Sequence, residues 1–252
     1  MEDPEKNNDK LSIKNFCERD NDIIFNPSGH KYTIKGITYD KSVTGLVKSL
    51  FGDFDAENII YNIQRSRKMY SPDYEYYGMN AEQIKNLWNT QQILGSLLHK
   101  DIERFYSDLP PKNVSKEYDF FLNFVRYHPH LTPYRSEWMV YSERIKMCGS
   151  IDMVYALPNG HHAIYDWKRT KNINMTENYS KYCIIPELSH IPDTNYYHYS
   201  LQLNIYKYIL ETEYGLIIDC MYLVVLHPKN GNYIKYEVIN LKNEIEYLFL
   251  DK

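Results

Sequence analysis

The chain has no apolar run near the roughly 18 residues that a membrane-spanning helix needs. It has no Cys-x-x-Cys pair, no phosphate-cradling Gly-x-x-x-x-Gly-Lys-Ser/Thr loop and no internal repeat. Each gap removes a class: a helix-anchored membrane protein, a thiolate-held zinc or iron-sulfur centre, a P-loop nucleotide hydrolase, a solenoid. The four cysteines, Cys17, Cys148, Cys183 and Cys220, are scattered and read as reduced structural thiols. Excess positive charge is missing too: 29 Lys and Arg face 33 Asp and Glu, a net charge of -4. Any nucleic-acid contact is therefore expected in a local groove rather than over a basic surface. The opening "MEDPEKNNDKLS" resembles neither a secretory signal nor an Arg-rich transit peptide. The expectation is a soluble intracellular protein, in the cytoplasm, the nucleus or at a viral replication site.

Tyrosine, by contrast, is abundant, 26 of 252 residues. Tyrosines can stack on bases, but Tyr, Asn, Ile and Lys share A/T-rich codons and all four are frequent here, so an AT-rich genome is the main cause. The length suits one large domain. A flexible polar segment is expected over residues 1–21 and a single domain over 22–252.

Along the chain, "DIIFNPSGHKYTIKGITYD" reads as short strands around turns, and "KSVTGLVKSLF" as a short helix capped by Ser42 or Thr44. A second helix follows over Asp55 to about Lys68. From Asn80 to about Ser107, apolar residues at 84, 87, 88, 94, 97, 98, 102 and 105 have the helical period, which predicts a long core helix. "SKEYDFFLNFVRYH" predicts another. Three strands are expected next, at about Tyr134–Tyr141, Ile145–Leu157 and His161–Lys168, the last two joined by the tight-turn pair Asn159-Gly160. A loop from Arg169 to about Asp193 precedes a helix ended by Gly215, a buried strand, an edge strand and a short helix. This order predicts an α/β fold with a mixed central sheet flanked by helices.

Chemistry concentrates in "GSIDMVYALPNGHHAIYDWKRTK". Strand side chains alternate between faces, so Asp166 and Lys168 point one way and Tyr165 and Trp167 the other. Asp152 lies on the other strand of the same hairpin. Two carboxylates on buried strands repel unless they share a cation. Oxygen donors of this kind suit Mg²⁺ or Mn²⁺, which with a nearby lysine would serve phosphodiester hydrolysis. A bare Asp-x-Lys on a surface hairpin is the commoner meaning of such a tripeptide; the apolar strand context is what separates this one.

With "GSID" and "DWK", two further stretches complete a resemblance. "GSLLHKDIE" (Gly95–Glu103) is similar to a G-x-x-x-H helix and "QLNIY" (Gln202–Tyr206) to a Q-x-x-x-Y helix. Together they resemble the PD-(D/E)xK nuclease superfamily, in the branch of RecB-type nuclease domains and the mitochondrial genome-maintenance exonuclease. "SVT" (Ser42–Thr44) is similar to a short motif of the exonuclease relatives. The likeness spans roughly Lys31 to His227; isoleucine stands at the eponymous proline, and no helicase motor is present.

The resemblance implies a restriction-endonuclease-like core, with Asp152 and Asp166 as metal ligands, His99 as a further ligand, Glu137 as a strand glutamate facing the site and Lys168 as the catalytic lysine. Gln202 and Tyr206 would orient the site and the backbone phosphates. Ser42, Thr44, Arg169, Thr170, Lys171, Tyr179 and Lys181 are expected nucleic-acid contacts, with Tyr179, Lys181 and Tyr182 roofing the groove. "QRSRK" (Gln64–Lys68) is open to two readings, an extension of the groove and, the favoured one, a solvated helix face. The implied activity is a Mg²⁺- or Mn²⁺-dependent deoxyribonuclease, acting as an exonuclease on single-stranded DNA ends, with a helicase or replication partner and no membrane. The alternatives are a structure-selective DNA or RNA endonuclease and an inactive nucleic-acid-binding module.

Overall fold

A computed structural model describes residues 10–29, 31–175 and 181–249. Three short antiparallel strands, β1 (Ile23–Asn26), β2 (Lys31–Ile34) and β3 (Ile37–Tyr39), form a small sheet. The main sheet has five strands in chain order: β4 (Thr132–Ser142), β5 (Met147–Ala156), β6 (His162–Lys168), β7 (Ile218–Val225) and β8 (Ile234–Glu237). Only β6 and β7 pair in parallel, so the sheet is mixed and the fold is α/β. The parallel pair needs a crossover, which α6 (Asn195–Glu213) supplies.

Helices cover both faces. On one, α2 (Val43–Ser49), α6 and α7 (Lys242–Phe249) bury Val47, Leu201, Ile209 and Ile245 against Val154, Ile164 and Leu223. On the other, α4 (Ala81–Tyr106) and α5 (Lys116–Tyr127) bury Leu98, Ile102, Phe121 and Phe124 against Met153, Tyr165 and Trp167. The period-2 pattern of β6 is thus realised: Ile164 faces one layer, Tyr165 and Trp167 the other. Caps fix the helix starts, with Ser42 accepting from the Gly45 amide and Asn80 forming a capping box with Gln83.

Two regions depart from expectation. From Lys10 onward the N-terminal segment is tied down, by α1 (Lys10–Lys14) and a 3₁₀ turn at Glu18–Asp22. Asp20 accepts from Arg135 at 2.8 Å and from the Trp138 indole at 2.9 Å, while Arg19 lies 4.1 Å over the Tyr141 ring. Polar composition hid this docking because its anchors are ionic. Nor is α4 a core helix throughout. Between the buried Ile84 and Leu98 no residue is buried, and Leu94 is exposed. That half of α4 packs instead with α3 (Ala56–Arg65), and Phe54, just before α3, meets Trp88 at a ring distance of 6.0 Å. Among the described residues no helix is long and apolar enough to cross a membrane.

Candidate functional site

The site forms where the sheet forks. The last β5–β6 pair is Met153 with Tyr165; beyond it β5 stays paired to β4 and β6 to β7. The Trp167 peptide, left without a strand partner on that side, is satisfied by two side chains. Its N–H donates to Asp152 Oδ2 at 2.8 Å, and its carbonyl accepts from His99 Nε2 at 2.9 Å. The Trp167 ring is fully buried on the opposite face, edge-on to Phe121 and Phe124. Aromatic packing thereby anchors the peptide that orients two polar side chains, and a shift of that ring would move both.

Because a carbonyl only accepts, His99 Nε2 carries a proton, which leaves Nδ1 with a lone pair in the neutral ring. Nδ1 lies 3.6 Å from both Glu137 Oε1 and Asp152 Oδ2. The ligand atoms of His99, Glu137 and Asp152 all lie within 4.8 Å of one another. Ser136 pairs with Met153 and Trp138 with Ile151, so Glu137 stands opposite Asp152 across the ladder. Like charges in that relation destabilise a sheet. The backbone at Glu137 is also held at φ +44°, a left-handed conformation rare for a residue other than glycine. The sheet therefore carries both repulsion and strain to keep these carboxylates together.

Protonation responds to this crowding. Burial pushes the Asp152 carboxyl up, with Glu137 adding to it against the pull of His99. Burial alone would lower the His99 imidazole, but Asp152 and then Glu137 outweigh it and hold it at about 9. Burial likewise raises Asp166 to about 6, against the pull of Lys168. A proton on His99 thus compensates the carboxylates when nothing else does.

Asp166 and Lys168 stand beside this triangle rather than in it. Lys168 Nζ is 2.6 Å from Asp166 Oδ2 and 4.5 Å over the Tyr199 ring of α6. Burial opposes the charge on Lys168, but Asp166 and then Asp152 more than restore it and raise its pKa. The clustered ligand atoms are those of His99, Glu137 and Asp152, while Asp166, on the neighbouring strand, holds the Lys168 ammonium beside them. Tyr199 had no sequence signal beyond standing in a helix with a broad run of tyrosines.

The α6 motif residues pack behind the site. Tyr206 is buried, its hydroxyl bonded by Gln202 and pushed well above its ordinary range by burial. A Cβ on Gly149 would sit 2.5 Å from the Tyr206 hydroxyl, so the glycine of "GSID" is there to admit that ring. Ser42 bridges to Cys148 at the start of β5, which ties "SVT" to the first residues of the strand that carries Asp152, with Thr44 exposed.

The expected phosphate contacts divide. Arg169 is not available: its guanidinium is buried against Glu117, Nε to Oε1 at 2.6 Å, and also bonds Gln91, because the end of β6 passes under α4 and α5. This corrects its reading as a phosphate ligand. Thr170 bonds the Asn172 carbonyl, while Lys171 and Lys181 are exposed. Tyr179 lies outside the described residues. The described parts of the long loop are fastened to the α6 layer, with Ile173, Cys183, Leu188 and Ile191 buried and the Ile184 amide donating to the Leu50 carbonyl.

A site with these parts can hold a divalent cation through one imidazole and two carboxylates and present an ammonium group next to it. No family model matches the chain, and no curated protein matches it. A solved structure, "Crystal structure of SSO0001", aligns with 84% of this chain and 72% of that one at 13% identity and a TM-score of 0.35, too slight a likeness to carry an argument.

Proposed function

We propose that the protein is a Mg²⁺- or Mn²⁺-dependent deoxyribonuclease of the PD-(D/E)xK type, working as an exonuclease on single-stranded DNA ends. The observation that carries this reading is the forced opposition of Glu137 and Asp152 around His99 Nδ1, with Lys168 adjacent. The residues fit a cation. Two carboxylates face each other at an energetic cost, the imidazole is oriented by its other nitrogen, and the Trp167 peptide fixes the pair from behind. His99, Glu137 and Asp152 would hold it, with Asp166 in reserve beside them. A divalent cation there supplies neutralisation of the charge developing on a phosphodiester and makes water a better nucleophile at neutral pH.

The chain's own residues do the rest. Lys168, kept charged by Asp166 and steadied over Tyr199, donates hydrogen bonds to a non-bridging phosphate oxygen or orients the attacking water. Asp166 sets where the ammonium lies. Gln202 and Tyr206 brace β5 from the α6 side, and the buried Arg169–Glu117 pair fixes the end of β6. The preference for single-stranded ends rests on the resemblance of "SVT", "GSLLH" and "QLNIY" to the exonuclease branch. In the test, a linear single strand and a covalently closed circle of the same sequence are incubated with Mg²⁺ or Mn²⁺, and again with chelator. The reading requires metal-dependent loss of the linear strand alone. Equal loss of both makes the protein an endonuclease, and metal-independent or absent hydrolysis rejects the nuclease reading.

A further inference from the structure

The arm made by α3 and the first half of α4 stands apart from both main layers. Its own interior is small: Ile60 and Ile84 are buried there without joining the two large clusters. Its surface is unusually aromatic. Tyr70 is 85% exposed, Phe54 74%, Tyr61 55% and Tyr77 50%, and Ile93 and Leu94 on α4 are exposed as well. Exposed apolar groups gathered in one region mark a surface that meets something.

Charge says what. From Tyr61 to Ser71 the chain carries Arg65, Arg67 and Lys68 and no acidic residue. All three cations are exposed, and Arg67 and Lys68 make no ion pair with any described residue. Arg65 donates to the Tyr61 hydroxyl at 2.6 Å and lies 5.2 Å over its ring, a planar cation laid beside a planar aromatic. On either side the sign reverses, with Asp53, Asp55 and Glu57 before the strip and Asp73 and Glu75 after it. An acidic peptide would gain from the cations but leave the rings unused, and a basic one would be repelled. Alternating cations and open aromatic faces suit a polyanion that also carries flat bases. The acidic borders confine it to one path.

We propose that this strip is a single-stranded DNA track, with Tyr61 and Tyr70 stacking bases and Arg65, Arg67 and Lys68 contacting phosphates, which leads a strand to the fork. The proposal deepens the nuclease reading and rests on it for the destination of the strand. α4 carries both ends of the route: Trp88, against which the arm packs, precedes His99 by eleven residues, about 16 Å of helix. Stacking accepts any base, so the track confers affinity and direction without sequence preference. The strip replaces Arg169 as the source of phosphate contacts, since that guanidinium is spent inside the fold.

The experiment is equilibrium binding of a fluorescein-labelled oligo-dT strand to the full chain in chelator, followed across a salt series, beside hydrolysis assays with Mn²⁺. Neutralising the three cations together, as Arg65→Gln, Arg67→Gln and Lys68→Gln, flattens the slope of log affinity against log salt by about 2, at roughly 0.7 per phosphate contact. Tyr70→Ala weakens binding by about tenfold or more, and Tyr70→Trp restores it. Circular dichroism melts matching the wild type establish that the variants are folded. Variants that bind and cleave like the wild type overturn the track and leave the strip as a protein-docking surface; so does a wild type that binds no oligo-dT. A wild type that binds through the strip but hydrolyses nothing rejects the nuclease reading while upholding the track.

Discussion

The two ends of the β5–β6 hairpin carry the same kinds of residue and treat them in opposite ways. At the turn, His161 Nδ1 lies 2.7 Å from Asp219 Oδ1, and the Asn159 amide donates to the other oxygen at 2.8 Å; the His161 and Asp219 side chains are about a third exposed. Hydrogen bonds from Asn159 and then His161 hold the Asp219 carboxyl below its ordinary range. At the fork, burial drives Asp152 and Asp166 the other way, and a third acid faces them from a strained backbone. One end holds its acid in exposed hydrogen bonds that favour the charged form; the other crowds three acids into a space where burial opposes that form. Buried, crowded acids and strained backbone cluster at functional sites.

The largest expected effect separates the two ends by activity. Asp152→Asn, Asp166→Asn and Lys168→Ala should each lower hydrolysis of a linear single strand by more than about 100-fold, beyond what losing an outer partner of a metal ligand costs. Asp219→Asn should cleave at the wild-type rate. Steady-state turnover at saturating Mn²⁺ checks both, and near-wild-type turnover in either fork aspartate removes the assignment.

Stability comes next. Arg169 and Glu117 have side chains only 7% and 9% exposed, so Arg169→Gln strands a buried charge and should cost about 3 to 5 kcal/mol by urea unfolding. Replacing both partners, as Arg169→Met with Glu117→Leu, should recover most of it. A single variant that unfolds like the wild type but binds DNA poorly would return Arg169 to the phosphate contacts.

Much of this was legible beforehand, for physical reasons that can be named. Periodicity found every strand of the main sheet because β4 to β8 alternate or run apolar between strong turns, and Asn159-Gly160 could only be a tight turn. His99 and Glu137 stood out through their motif surroundings; register sets Glu137 opposite Asp152, while His99 reaches it from α4, held by the Trp167 carbonyl. What stayed hidden depends on contacts far apart in the chain. Nothing near Arg169 announces Glu117; no local pattern says that β5 and β6 part after Tyr165; and the exposed middle of α4 has the same apolar period as its buried end. Asp20 reads as a polar terminus until Arg135 and Trp138 meet it.

Two glycines, one within β5 and one in the turn after it, sharpen the contrast at a smaller scale. Gly149 is required for space, since a methyl group there meets the buried Tyr206 ring; Gly160 is required for conformation, at φ +81° with nothing within 4 Å. Gly149→Ala should cost about 3 kcal/mol, the upper part of the overpacking range, and Tyr206→Phe should return part of that because it removes the nearest atom. Gly160→Ala should cost about 1 kcal/mol, and no change at Tyr206 should alter it. Equal coupling of both glycines to Tyr206 would contradict this division.

The smallest effect belongs to the turn end, and its sign follows from linkage. Asp219 has its pKa depressed in the folded protein, so its hydrogen bonds to Asn159 and His161 favour folding wherever the carboxylate is ionised. That contribution is present above the ordinary carboxylate pKa of about 4 and disappears as pH falls through the lower folded value. Asp219→Asn should therefore unfold at slightly lower urea than the wild type at pH 7, and the gap between the two midpoints should close on acidification. The group is exposed and screened, so the gap should also narrow in high salt. A gap that widens toward acid pH would mean that Asp219 titrates upward like the fork carboxylates, and the opposition between the two ends of the hairpin would fail.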